Sequence, residues 1–119
     1  MNDKSGNLNQ RTKEFALRII RMYCALPKST EAQVLGKQVL RSGTSVGAHY
    51  REATRARSDA EFISKLEGGL QELEETGYWL ELLGESRIEA AEKLTELTQE
   101  AGELIAMFTA SVKTVKNRK

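Results

Sequence analysis

Residues 43–47 read Gly-Thr-Ser-Val-Gly, which fits the Gly-x-Ser-x-Gly spacing of a serine nucleophile elbow, and the chain's single histidine, His49, follows four residues after Ser45. That elbow requires a strand before the serine, a helix after it, and a histidine and an acid arriving later in the chain. None of this context surrounds Ser45, so the spacing predicts no hydrolase. A di-iron centre in a helical bundle draws Glu-x-x-His from two helices and Glu from two more, which one histidine cannot supply. His49 and Glu52 would reach a metal only if symmetry joined several copies. Glu72, Glu74 and Glu75 form an acidic run with no partner to tune one of them as a general acid. There is no glycine-rich phosphate loop between a strand and a helix. The expectation is a non-enzymatic protein with no catalytic residue, metal ligand or cofactor.

Charge offers a different chemistry. On a helix advancing about 100° per residue, Lys37, Arg41, Arg51 and Arg55 fall in a stripe about 80° wide. Leu35, Val39, Val46, Tyr50 and Ala53 gather on the opposite side. Such a helix packs with one face and meets an acidic partner with the other. With Arg57 and the tail residues Lys113, Lys116, Arg118 and Lys119, the stripe could contact phosphates of RNA or DNA. No aromatic residues interleave these cations, so base stacking is not indicated. Binding of this kind is electrostatic and weakens steeply with salt.

The whole chain carries a net charge of only +1 over 119 residues, yet residues 1–57 carry +7, residues 58–110 carry −10 and residues 111–119 carry +4. That asymmetry predicts pairing between basic and acidic helices, within a subunit or between subunits. The length suits a single domain over residues 1–119, with loosely ordered ends at about 1–9 and 116–119. Cys24 is the one cysteine, which excludes an intrachain disulfide. Arg18 and Arg21 interrupt the first apolar run, so neither a signal peptide nor a membrane span is expected. The expected location is the cytoplasm.

Elements that would position the stripe follow from punctuation. Pro27 is the chain's one proline and leaves the rest free to form long helices. Thr30 with Gln33, Ser58 with Glu61 and Ser86 with Glu89 match the spacing of a capping box. Helices are therefore expected at about Gln10–Leu26, Glu31–Arg57, Asp59–Leu83 and Arg87–Val115, with Gly84 as a left-handed C-cap. Short connections force antiparallel neighbours, which predicts an all-α, up-down-up-down four-helix bundle. Its core would take Phe15, Ile19, Met22, Tyr23 and Leu26 from the first helix. Phe62, Leu66, Leu70, Leu73, Gly77 and Leu80 would come from the third, and Leu94, Leu97, Ala101, Leu104, Ile105, Phe108 and Val112 from the fourth.

Some apolar residues fall outside that core. Trp79 and Leu82 point away from the stripe of the third helix, and Leu17 and Cys24 away from that of the first. Gly36, Gly43, Gly47 and Thr54 line one flank of the second, where small side chains let another helix approach closely. Burial in a homo-oligomer is the expectation for Trp79, Leu82, Leu17, Gly43 and Gly47.

The run QVLRSGTSVGAHYREATRARSDAEFISKLEGGLQELEETGYWLELL resembles the small bacterial four-helix-bundle proteins called 23S ribosomal RNA intervening-sequence proteins, also labelled S23 ribosomal protein. The similarity lies in the Arg-Ser-Gly-Thr-Ser segment, the Tyr-Arg-Glu-Ala that follows, and an acidic helix ending in Tyr-Trp-Leu. It covers about Phe15 to Phe108. The resemblance implies a homopentamer of poorly defined activity. It places Arg41, Ser42, Gly43, Tyr50, Arg51 and Glu52 at motif positions, and Tyr78 and Trp79 at an aromatic pair. His49 stands where relatives commonly carry Asn, and Gly68 and Gly69 replace better helix formers. A more distant similarity to the accessory protein of diversity-generating retroelements implies a nucleic-acid partner and a reverse-transcriptase-like protein partner.

Overall fold

The computed structural model describes residues 4–118, with side chains from residue 8 onward. Four helices follow in order: α1 Lys4–Cys24, α2 Thr30–Thr54, α3 Asp59–Glu85 and α4 Ala91–Lys116. Neighbours in sequence are neighbours in space, and α4 returns to α1 to close the bundle. The short links at residues 25–29, 55–58 and 86–90 make each successive pair antiparallel. The molecule is an elongated all-α bundle, 51 × 25 × 19 Å, with no strand among the described residues.

The core is the one the periodicity predicts apart from Gly77, which has open space where a Cβ would stand. Phe15, Ile19, Val39, Val46, Leu66, Leu73, Leu104 and Phe108 are fully enclosed, and the rings of Tyr50 and Phe108 meet at 5.8 Å. Phe62, Leu70, Tyr23, Leu35 and Ile105 pack at its margin, half-buried. Leu8 joins the core as well, which corrects the expected start of α1 at Gln10. Leu8 lies seven residues before Phe15, so it continues the same helical stripe, and no proline interrupts the chain between them. Residues 4–9, expected to be loosely ordered, are thus helical; residues 1–3 and 119 lie outside the described residues.

Helix boundaries shift where capping residues compete. Ser29, not Thr30, caps α2, accepting from the Ala32 amide at 3.3 Å, while Gln33 turns back to the Pro27 carbonyl. Adjacent Ser and Thr leave such a register open by one residue. Ser58 does cap α3, and Glu61 accepts from the Arg57 amide at 3.0 Å. α2 ends at Thr54 with Arg55 as its C-cap, so Arg57 sits in the α2–α3 turn rather than in α2. Ser86 closes α3 instead of opening α4. Arg87, not Gly84, takes the left-handed conformation at φ 65°, its amide donating to the Gly84 carbonyl and that of Glu89 to the Leu83 carbonyl. That turn consumes the predicted first residues of α4, which begins at Ala91 without a side-chain cap.

Glycines report where helices approach most closely. A Cβ on Gly69 would stand 2.7 Å from Cε2 of the fully buried Phe108, whereas one on Gly102 would meet nothing within 4 Å. Gly69→Ala should lower unfolding free energy by about 1–3 kcal/mol because Phe108 has no room to move. Gly102→Ala should raise it by up to about 1 kcal/mol through helix propensity alone. Urea denaturation of the two variants checks both signs.

Candidate nucleic-acid interface

α2 has two packed flanks. On one, Gly36, Gly43 and Gly47 receive α1: a Cβ at Gly36 would stand 2.8 Å from Leu26, at Gly43 2.9 Å from Ile19, and at Gly47 3.2 Å from Thr12. The close approach expected of this small-residue flank is therefore made inside the chain. Gly43, expected at an oligomer contact, is buried against α1 of its own chain, and Gly47, expected there too, lies part-buried beside Thr12.

The other flank meets α3. Ser42 and Thr76, both fully buried, are hydrogen-bonded at 2.8 Å. Thr76 also bonds the Glu72 carbonyl at 2.8 Å, so its proton goes there and Ser42 donates to Thr76. One residue before each, at the exposed edge of the seam, Arg41 holds Glu75 at 2.7 Å, and it reaches Glu72 at 3.4 Å. His49 Nε2 lies 3.9 Å from the second Glu72 oxygen. Its ring rests on Gly68, where a Cβ would stand 2.8 Å from the imidazole. Arg41, expected to be free for a phosphate, is thus engaged by α3 of its own chain.

The rest of the predicted stripe faces outward. Arg41 occupies the edge nearest α3, while Arg51 lies about 80° around the helix from it, with Lys37 and Arg55 between the two. Lys37, Arg51, Arg55 and Arg57 are all exposed, and none makes a side-chain ion pair among the described residues. Between α1 and α2 runs a shallow groove of about 410 Å³ lined by Thr12, Lys13, Ala16, Thr44, Gly47, Ala48 and Arg51. Lys13 stands on the α1 side and Arg51 on the α2 side. The basic stripe of α2 does not by itself point to Lys13; the small-residue flank of α2 and the position of Lys13 next to Thr12 carry the signal that places it. Of the tail cations, Lys116 reaches Glu67 at 3.5 Å and Arg118 reaches Asp59 at 3.4 Å. Lys113 is exposed, and Lys119 lies outside the described residues.

Other ion pairs fasten the bundle. Arg11 of α1 donates to Glu100 at 2.6 and 3.0 Å and to Glu103 at 2.8 Å, both on α4. Hydrogen bonds to Glu100, then to Glu103, hold the Arg11 guanidinium pKa above its ordinary value. Ser45 lies within α2 with its hydroxyl donated to the Arg41 carbonyl at 2.8 Å, so no elbow presents it. No group of three or more His, Cys, Asp or Glu side chains is placed to hold a metal among the described residues. No helix among them is long and apolar enough to cross a membrane.

The apolar residues expected outside the core divide. Leu17 is 41% exposed, Trp79 and Leu82 are half-buried, and Trp79 packs partly on its own core with its indole nitrogen enclosed and unpartnered. Val34, which does not stand out in the sequence pattern, and Tyr78 of the aromatic pair are both more than half exposed.

The sequence profile of the 23S rRNA-intervening sequence proteins matches residues 5–110. The chain belongs to that family. A similar solved structure, a protein of unknown function from the S23 ribosomal protein family of Bacteroides thetaiotaomicron, shares 38% identity with it at a TM-score of 0.88. That alignment covers 93% of this chain and 99% of the other. No curated protein matches. In this family member the α2–α3 contact sets which cations remain outside, so its buried pair should matter more than its exposed one. Thr76→Val, close in shape, should cost about 1–2 kcal/mol by leaving the Ser42 hydroxyl without that acceptor. Arg41→Ala, with its guanidinium half in solvent, should cost less than about 1 kcal/mol. Thermal and urea unfolding of the two variants gives the comparison.

Proposed function

We propose that this member of the 23S rRNA-intervening sequence protein family is a non-enzymatic, cytoplasmic homo-oligomer that binds the phosphate backbone of RNA or DNA through the outer face of α1 and α2. One observation carries the reading: Lys37, Arg51, Arg55 and Arg57 stand exposed without ion pairs among the described residues, and Lys13 joins Arg51 across a groove. Cations left over after intramolecular pairing are the ones able to release counterions from a nucleic acid. A reverse-transcriptase-like partner is not required by this arrangement. Exposed Leu17 and Ile20 on α1 support self-association, and the resemblance to pentameric relatives supports a pentamer.

A module without a nucleic-acid partner is the second reading, favoured by the engagement of Arg41 with Glu72 and Glu75. Mobility-shift titrations at several salt concentrations separate the two. Replacing Lys37, Arg51 and Arg55 together with Ala should reduce the slope of log K against log salt by roughly 0.9 for each phosphate that is no longer neutralised, up to about 3 on duplex DNA. Arg41→Ala should leave the slope unchanged. No binding of RNA or DNA even at low salt would establish the second reading. For self-association, Leu17→Glu with Ile20→Glu should shift the mass seen by light scattering toward smaller species, since a charge does not enter an apolar contact without cost.

A further inference from the structure

The free cations of the α1–α2 wall are unevenly spaced. Lys37 and Arg51 are fourteen residues apart on α2, a rise of about 21 Å, and Arg55 follows Arg51 after one turn, about 6 Å farther on. Residues 38–50 between them hold no acid and a single arginine, Arg41, which turns to Glu75 and Glu72 of α3. Leu40 lies half-buried against the core, and the outward side chains that follow it are short: Thr44 and Ala48, with Gly47 beside them and Ala16 facing them from α1. The hydroxyls here are already committed, Thr44 donating to the Leu40 carbonyl at 2.8 Å and Thr12 to the Leu8 carbonyl at 2.7 Å. Lys13 stands across the groove from Arg51, so Lys13, Arg51 and Arg55 cluster at one end of the wall and Lys37 stands toward the other. Glu52, next to Arg51 in the chain, is drawn away to Lys65 of α3 at 3.3 Å.

Resting on the electrostatic binding proposed above, we infer that the nucleic acid this wall takes is a duplex, crossed at a wide groove, with Lys37 on the phosphates of one strand and Lys13, Arg51 and Arg55 on those of the other. A single strand presents a phosphate about every 3.4 Å of stacked length, so an interval of about 21 Å without a free cation leaves a run of its phosphates unmet. A duplex crossed at a groove offers phosphates only at the two rims. The major groove of B-form DNA is about 12 Å wide, and the phosphates at its edges together with the reach of Lys and Arg side chains span the remainder. The minor groove of A-form RNA is also wide, and it is shallow. Short, neutral side chains over the interval let α2 lie close to either groove, and the committed hydroxyls of Thr44 and Thr12 leave no donor there to read a base edge. Shape and phosphate position are what such a wall recognises, not sequence. Because α1 and α3 both grip α2, the interval between the cations is fixed before the ligand arrives.

The test uses the full chain and three fluorescein-labelled ligands of equal phosphate count: a duplex of RNA, a duplex of DNA, and a single strand of mixed sequence without self-complementarity. Binding is read by fluorescence anisotropy at low salt. At least one duplex should bind about tenfold tighter than the single strand, and the duplex that binds better identifies the groove as A-form or B-form. The double variant Lys37→Ala, Ala48→Lys keeps the net charge but moves the far cation beside the Arg51 cluster; Ala48 is exposed, so α2 accepts the longer side chain. That variant should lose the preference, its affinities for duplex and single strand agreeing within about threefold. Circular dichroism confirms that it is folded. Equal or tighter binding of the single strand by the unaltered chain, or a duplex preference that survives relocation of the charge, would overturn the duplex proposal and leave electrostatic binding standing. Binding of none of the three ligands would overturn both.

Discussion

The structure turns on α2 being held from two sides at once. Gly36, Gly43 and Gly47 let α1 approach until its Tyr23, Ile19 and Thr12 side chains, with Leu26 just beyond its end, fill the space where a Cβ would stand. On the other flank, Ser42 and Thr76 join through a hydrogen bond in a fully buried site. A larger residue on the first flank, or an unpaired hydroxyl on the second, would move α2 relative to its neighbours. With both flanks occupied, only the stripe from Lys37 to Arg55 is left to face outward, so the packing itself determines which cations remain available.

Charge sorting along the chain has a related consequence. Basic residues of the first half and acids of the second meet at the bundle's seams: Arg41 with Glu72 and Glu75, Lys65 with Glu52 in the reverse sense, and Arg11 with Glu100 and Glu103. The α1–α4 contact is the least extensive in the bundle, and it has the most elaborate polar clamp. Arg11 adds a contact to Met107 Sδ at 3.2 Å, so its stem and fork cover apolar surface as well as pairing acids. Much of what attraction does not consume is sorted by element, with Lys13, Lys37 and Arg51 on α1 and α2 and Glu81, Glu85 and Glu92 on α3 and α4, although Lys93 and Lys113 also stand on α4 and Glu31 on α2.

Periodicity makes the fold and most of the core legible because each helix buries a continuous stripe; Phe15, Leu66, Leu73, Leu104 and Phe108 follow from spacing alone. Local capping is less legible. Ser29 and Thr30 are equally able caps, and Arg87 adopts a conformation that residue type favours for Gly84, because the Leu83 and Gly84 carbonyls find donors that way. At the candidate site the stripe faces outward as its spacing implies, but Arg41 also pairs with Glu72 and Glu75 of α3. Helical arithmetic places Arg41 within about 40° of Lys37, but it contains no information on which flank an acidic helix will occupy. The glycines of α2 mislead for the same reason, since small residues announce a close neighbour without saying whether it belongs to the same chain.

Gly68 and His49 illustrate how tertiary contact explains what propensity cannot. Two adjacent glycines in the middle of α3 are unfavourable for a helix, yet each makes room for a specific ring, Gly68 for His49 and Gly69 for Phe108. Seating His49 there brings its Nε2 toward Glu72, which also receives Arg41. The α2–α3 seam thereby keeps its carboxylates occupied from the α2 side, and Glu81 and Glu85 lie beyond the reach of that cluster, farther along α3. Because helices follow one another around the bundle, the α1–α2 wall and the α3–α4 wall face opposite directions. Cations on the first are insulated from the carboxylates of the second, because the width of the bundle, 19 to 25 Å, exceeds the roughly 8 Å over which exposed charges interact at physiological salt.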